Sequence, residues 1–200
     1  MFIQVITGKT SDRDGLRRQF DRWQQELQGG ATGYLGSTGG VTDDGGVFMA
    51  ARFESEEAAR RNSAREEQGT WWAETEKFLE NATFQDSAEV QTLGGGGSND
   101  AGFVQVMRGR ITDKEKAPKL MARFAELLPV MAERRPDIIG DVTVIHSDGT
   151  YSDILYFTSE ADAREGEKKE MPAEMQSMFE EYMAAMPIDE YIDLKDPWLL

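Results

Sequence analysis

Phe2-Ile3-Gln4-Val5 returns one hundred and one residues later as Phe103-Val104-Gln105-Val106, and this pair of tetrapeptides decides the reading of the chain. Outward from it the correspondences continue in order. Gly8-Lys9 returns as Gly109-Arg110. Leu16, Phe20, Trp23 and Leu27 match Leu120, Phe124, Leu127 and Met131 at an offset of 104. Phe53-Glu54-Ser55-Glu56 matches Phe157-Thr158-Ser159-Glu160, and Trp71, Thr75 and Phe78 match Met171, Met175 and Met178. Val90 and Leu93 align with Tyr191 and Leu194. Chance similarity does not keep register over a hundred residues, so the sequence reads as a tandem repeat.

Each copy then has the same expected elements. In the first, residues 2–7 read as a strand. Asp12 can cap a helix over 13–28, with Leu16, Phe20, Trp23 and Leu27 on one stripe. Strands 33–42 and 46–53 flank the turn Asp43-Asp44-Gly45-Gly46. Ser55 opens a second helix running to about Asn81, with a break expected near Gly69, and a last strand covers 84–93. The second copy repeats this as strand 103–108, helix 114–134, strands 138–146 and 151–157, helix 159–185 and strand 188–194. The domains are thus 1–93 and 102–200, with 94–101 as a glycine-rich linker. The order β-α-β-β-α-β is that of a ferredoxin-like α+β unit with both helices on one sheet face. The other face must be buried, and the expected arrangement is two halves packed sheet to sheet as an intramolecular pseudo-dimeric barrel.

Composition narrows the function. Net charge is −15, divided as −7 before residue 101 and −8 after it. Neither half carries a basic surface, so nucleic acid and anionic membranes are excluded as partners. No apolar run is long enough for a membrane span, and there is no cysteine to form a disulfide or a thiolate metal site. A soluble, cytoplasmic protein is expected, either a monomeric pseudo-dimer or a homodimer.

Four polar or aromatic side chains stand out as ligand-binding candidates. Gln4 and Gln105 occupy matching places in apolar strands, either lining a pocket or bonding the fold together. Trp71 and Trp72, found in the first copy only, could wall a flat ligand or pack a core. Met171, Met175, Met178 and Tyr182 form a helical stripe that is either core or adaptable cavity lining. His146, the single histidine, sits beside the turn Ser147-Asp148-Gly149 and is expected to be exposed. No spacing of carboxylates suggests a metal, and their pattern reads as solvated helix faces.

The passages Arg52-Phe53-Glu54-Ser55-Glu56-Glu57-Ala58-Ala59 and Tyr156-Phe157-Thr158-Ser159-Glu160-Ala161-Asp162-Ala163, with the first strand, resemble the dimeric α+β barrel superfamily, antibiotic-biosynthesis-monooxygenase-like. The resemblance implies a protein that binds a small hydrophobic or aromatic molecule, with cofactor-independent oxygenation through a carbanion or enolate as one outcome and a non-catalytic scaffold with a filled core as the other. Relatives that degrade haem supply a histidine from the second helix; Trp71 and Met171 fall near that place here, so haem degradation is not expected.

Overall fold

The computed structural model describes residues 1–93, 95–171 and 173–200, with the side chains of 93, 173 and 174 left aside. Among the described residues, ten strands and seven α-helices follow in order. The first half has β1 (Phe2–Lys9), α1 (Arg13–Arg22), β2 (Tyr34–Val41), β3 (Gly46–Phe53), α2 (Glu56–Ser63), α3 (Glu66–Thr75), β4 (Glu80–Ser87) and β5 (Glu89–Leu93). The second has β6 (Phe103–Arg110), α4 (Ala117–Glu126), α5 (Leu128–Arg134), β7 (Ile138–Ile145), β8 (Thr150–Phe157), α6 (Glu160–Glu167), α7 (Ala173–Ala185), β9 (Ile188–Leu194) and β10 (Trp198–Leu199).

The two five-stranded sheets have one connectivity, β10-β2-β3-β1-β4 and β5-β7-β8-β6-β9. The compact units do not coincide with halves of the sequence. One comprises Met1–Val90 with Asp196–Leu200, the other Gln91–Lys195. The short terminal strand β10 completes the first sheet by pairing with β2, and β5 lies at the edge of the second sheet beside β7.

Local chemistry accounts for the helix starts. Asp12 Oδ1 accepts from Gly15 N at 2.7 Å, and Ser55 and Ser159 Oγ each accept from the amide three residues on, at 3.1 Å. Gly45 and Gly149 hold φ of +84° and +81° in the two hairpin turns, a region costly for side chains.

Five boundaries differ from expectation, one of them that the helix expected over 159–185 is two, α6 and α7. The α1 stripe continues past Arg22 as a π turn, Trp23–Leu27, which keeps Trp23 and Leu27 buried. The second helix of the first half breaks at Ala64–Arg65 rather than at Gly69, because Arg65 turns extended and its guanidinium donates to Leu27 O at 3.0 Å and Asn62 Oδ1 at 2.9 Å. The helix expected over 114–134 is interrupted at Leu127, just ahead of Pro129, whose ring clashes with continued helix. The strand that closes the first repeat against β1 is Glu80–Ser87, so Ser87 and Phe84, not Leu93 and Val90, are equivalent to Leu194 and Tyr191. Of the glycine-rich stretch, Gly96 is buried and its carbonyl lies against Gly140.

In the first unit Leu16, Phe20, Val41, Val47 and Trp198 form one core cluster. A second, Trp23, Leu27 and Ala31, takes in Tyr34 and Trp71. In the second unit, Leu120, Met121, Ile145, Tyr151 and Met186 pack together at one end of the sheet, and Phe103, Phe157 and Ala163 at the other. Among the described residues no helix is long and apolar enough to cross a membrane.

Candidate active site in the second unit

Between these two clusters the second unit is hollow. A cavity of about 1500 Å³ opens between its sheet and helices. Strand alternation builds the floor: Tyr151, Asp153 and Leu155 of β8 point to it, while Ser152, Ile154 and Tyr156 point to the opposite, buried face. Helices α4 and α5 contribute Phe124, Leu128 and Met131, and α7 contributes Met175, Phe179 and Tyr182.

The first unit shows why the space exists. There Trp23, Tyr34 and Trp71 meet as an aromatic cluster, with ring centroids 4.8 Å and 6.5 Å apart. Trp23 donates to Gln68 Oε1 at 2.7 Å and Trp71 to Gln19 O at 2.8 Å, so both indoles are anchored. The corresponding residues of the second unit are Leu127, Ile138 and, counted from the starts of α3 and α7, Met178 rather than the Met171 aligned in the sequence. Replacing two tryptophans and a tyrosine with aliphatic side chains leaves volume unfilled.

Two carboxyl groups stand on this apolar floor. Asp141 of β7 and Asp153 of β8 share the cavity face, with Thr143 beside both. Thr143 pairs with Asp153 across the strands, and its Oγ1 lies 2.9 Å from Asp153 Oδ1 and 3.5 Å from Asp141 Oδ1. Burial pushes both carboxyls above the usual range, and the negative field of Asp153 pushes Asp141 further. Tyr151 and Tyr182 ionise above the ordinary phenol range, first from burial and then from the field of Asp153, and stay neutral at physiological pH. Tyr151 donates to the carbonyls of Met186 and Pro187, at 3.0 and 3.1 Å. Tyr182 stacks on Phe124, and its hydroxyl has no hydrogen-bond partner among the described residues.

At the other end of the floor, Gln105 Nε2 donates to Asp193 Oδ1 at 2.9 Å, and Arg164 pairs with Asp193 Oδ2 while lying over the Phe103 ring. Asp193 is therefore neutralised, unlike the Asp141–Asp153 pair.

Of the four residues singled out in the sequence, only Gln105 lines this cavity. Gln4 holds the equivalent position in the first sheet, opposite Asp86. Trp71 packs as described, and Trp72 sits edge-on to Phe84 at 5.2 Å. Met171 and Met175 of the methionine stripe do line it, the alternative that the stripe left open. His146 corrects an expectation: it is 4% exposed, not solvent-facing, and Nε2 lies 3.2 Å from Ser152 Oγ. Burial and the nearby Arg108 lower its pKa. Asp141 and Asp153 were missed, and Tyr182 was read only as one member of the methionine stripe. The available signal was an acid at an inward position in each of two apolar neighbouring strands, Ile138-Ile139-Gly140-Asp141-Val142 and Ser152-Asp153-Ile154-Leu155. Among the described residues, no group of three or more metal-ligating side chains converges.

The raised carboxyls give a pH-dependent prediction. A group whose folded pKa lies above its unfolded one favours the fold below the unfolded value, near pH 4, and loses that contribution as pH rises through the folded value. Asp141→Asn removes this penalty and should raise Tm at pH 8 by roughly 2–4 °C for each kcal/mol relieved. The gain should vanish by about pH 4. A gain that persists undiminished at acid pH, or a loss at pH 8, would contradict it.

Comparison of the sequence with protein-family models and with curated proteins returns no match. Among solved structures, a candidate monooxygenase from Lactobacillus acidophilus superposes with a TM-score of 0.72 at 12% identity, covering 100% of this chain and 98% of its own. A candidate monooxygenase from Fusobacterium nucleatum gives 0.71 at 9% identity, over 96% and 89%. An anthrone oxidase-like protein gives 0.62 at 12%, over 96% and 89%. These likenesses, at 9–12% identity, show that the chain shares the fold of these proteins along its whole length.

Proposed function

We propose that the second unit binds a hydrophobic or aromatic molecule in its cavity and oxidises it in a monooxygenase-like manner. The single observation that carries this reading is the hollow sheet–helix space, apolar over most of its surface and bearing a few convergent polar groups. Methionines on the α7 wall suit flat ligands of varied outline, since the thioether chain adapts its shape. The names carried by the fold neighbours point to the same chemistry. Molecular oxygen would be the oxidant, drawing electrons from a carbanion or enolate of the ligand formed inside the site. A scaffold with a filled core describes the first unit, whose aromatic cluster occupies the equivalent space, but not the second.

The test is titration with 1-aminoanthracene, a neutral fluorophore that brightens in apolar surroundings. Saturable binding at one site per chain is expected. Leu155→Trp, which fills the floor, should weaken it at least about tenfold, on the order of 1.4 kcal/mol, while the unfolding transition is retained. Absence of saturable binding, or binding undiminished in that variant, would overturn the proposal.

A further inference from the structure

The cavity has one feature that ligand binding alone does not require. An apolar pocket gains nothing from two buried carboxyl groups, which cost desolvation energy unless paired or used. Asp193 at the same floor is paired with Arg164 and Gln105. Asp141 and Asp153 have only each other and Thr143. Among the described residues no ion pair of the second unit involves either of them, and the Tyr182 hydroxyl on the facing helix makes no hydrogen bond. Unused donor and acceptor capacity is thus concentrated at one end of an otherwise apolar space.

We propose that Asp141 and Asp153 together are the catalytic base of this site, taking a proton from a carbon next to the carbonyl of an enolisable aromatic ketone. This rests on the cavity reading above. In the step, the C–H bond breaks and its proton passes to a carboxylate oxygen of the pair. The electron pair enters the ligand as an enolate, and the carbonyl oxygen that gains the charge accepts a hydrogen bond from Tyr182. No electrons leave the ligand in this step, so it proceeds without oxidant and can be observed by itself. Two adjacent buried carboxyls suit the task because burial makes an anionic member a stronger base than a solvated carboxylate, and a proton shared between them keeps the pair from carrying two charges. Thr143 bridges both and fixes their orientation.

The groups facing the pair define what a pH profile would report. They are Tyr151 of β8, Tyr182 of α7, Asp193 and Tyr191 of β9, Arg164 and Glu167 of α6, Arg134 of α5, Arg135 just after it, and Lys169 and Glu170 between α6 and α7; Gln105 of β6 and the α4 lining are uncharged. Arg164 is held by Asp193 and Arg135 by Asp137.

The experiment uses 2-tetralone in deuterated buffer, with exchange at the methylene flanked by ring and carbonyl followed by proton NMR, and its binding measured by displacement of 1-aminoanthracene. The full chain should accelerate exchange, rising with pH through one ionisation above the ordinary carboxylate range. Asp153→Asn and Asp141→Asn should each lower the bound rate by roughly 10²-fold with affinity changed little. Tyr182→Phe should lower it less. Binding without acceleration over an equal concentration of acetate, or unchanged rates in both Asn variants, overturns the assignment and leaves the cavity reading intact. Failure of both the fluorophore and the ketone to bind removes the cavity reading itself and the base with it.

Discussion

Replacing Trp198 with alanine should cost the first unit about 3–5 kcal/mol of stability, although the residue lies more than a hundred and fifty positions from β2, the strand it pairs with. Trp198 is 1% exposed. Its ring packs with Leu16, Phe20, Val41 and Val47, its centroid 5.6 Å from that of Phe20, and Arg17 lies over its face at 5.4 Å. Around it, Ser37 and Leu200 exchange backbone hydrogen bonds at 2.9 and 3.0 Å. Truncation therefore leaves a cavity in the centre of a core and loosens the strand that carries it. The indole nitrogen has no partner among the described residues, so Trp198→Phe forfeits no hydrogen bond and should cost far less, about 1–1.5 kcal/mol. Urea unfolding followed by far-ultraviolet circular dichroism distinguishes the two. A loss below about 1 kcal/mol for the alanine variant would show that β10 is an ornament of the sheet.

The second large effect is expected at Gly109. A Cβ there would stand 1.9 Å from the carbonyl oxygen of Pro187 and 3.0 Å from Tyr151 Cε1. Pro187 O is backbone at the irregularity between β6 and β9, and it accepts a hydrogen bond from Tyr151. It cannot retreat without disturbing that bond and the end of the cavity floor. Gly109→Ala should destabilise by about 3 kcal/mol. The matching Gly8 of the first sheet is an internal comparison, since its Cβ would approach Glu80 O at only 3.0 Å. Gly8→Ala should therefore be clearly milder under the same denaturant titration. Equal losses at the two positions would refute the steric account.

The difference between what the sequence disclosed and what it concealed follows from burial. Strands β1, β3, β6 and β8 were legible because each carries apolar residues on both faces. Strand β4 was misplaced because Glu80–Ser87 is largely exposed and polar, offering no periodicity, whereas the following Val90–Leu93 looked more like a strand. That error had a structural cause: Glu89–Leu93 is indeed a strand, but of the other sheet. The cavity was hidden for a different reason. It arises from the smaller volume of Leu127, Ile138 and Met178 relative to Trp23, Tyr34 and Trp71, and a deficit of volume has no motif. The carboxyl pair was hidden by its spacing. Asp141 and Asp153 are twelve positions apart on different strands, and only the hairpin register brings them to one face. A lone acid in a strand ordinarily signals the solvent side, so each was read by itself as unremarkable. The tryptophans were the more conspicuous signal and marked the filled unit instead of the hollow one.

The strand exchange also has a kinetic consequence. Thr38 and Leu199 are partners in the first sheet. During synthesis β1 to β4 emerge and can collapse early, but their sheet lacks its outer strand until residues 198–200 have left the ribosome. Contacts of such sequence separation slow folding, because a long loop must close before the pairing is rewarded. The nascent amino-terminal unit therefore waits with an open edge at β2, an invitation to pair with another chain, and its maturation is timed by the completion of the unit that carries the cavity.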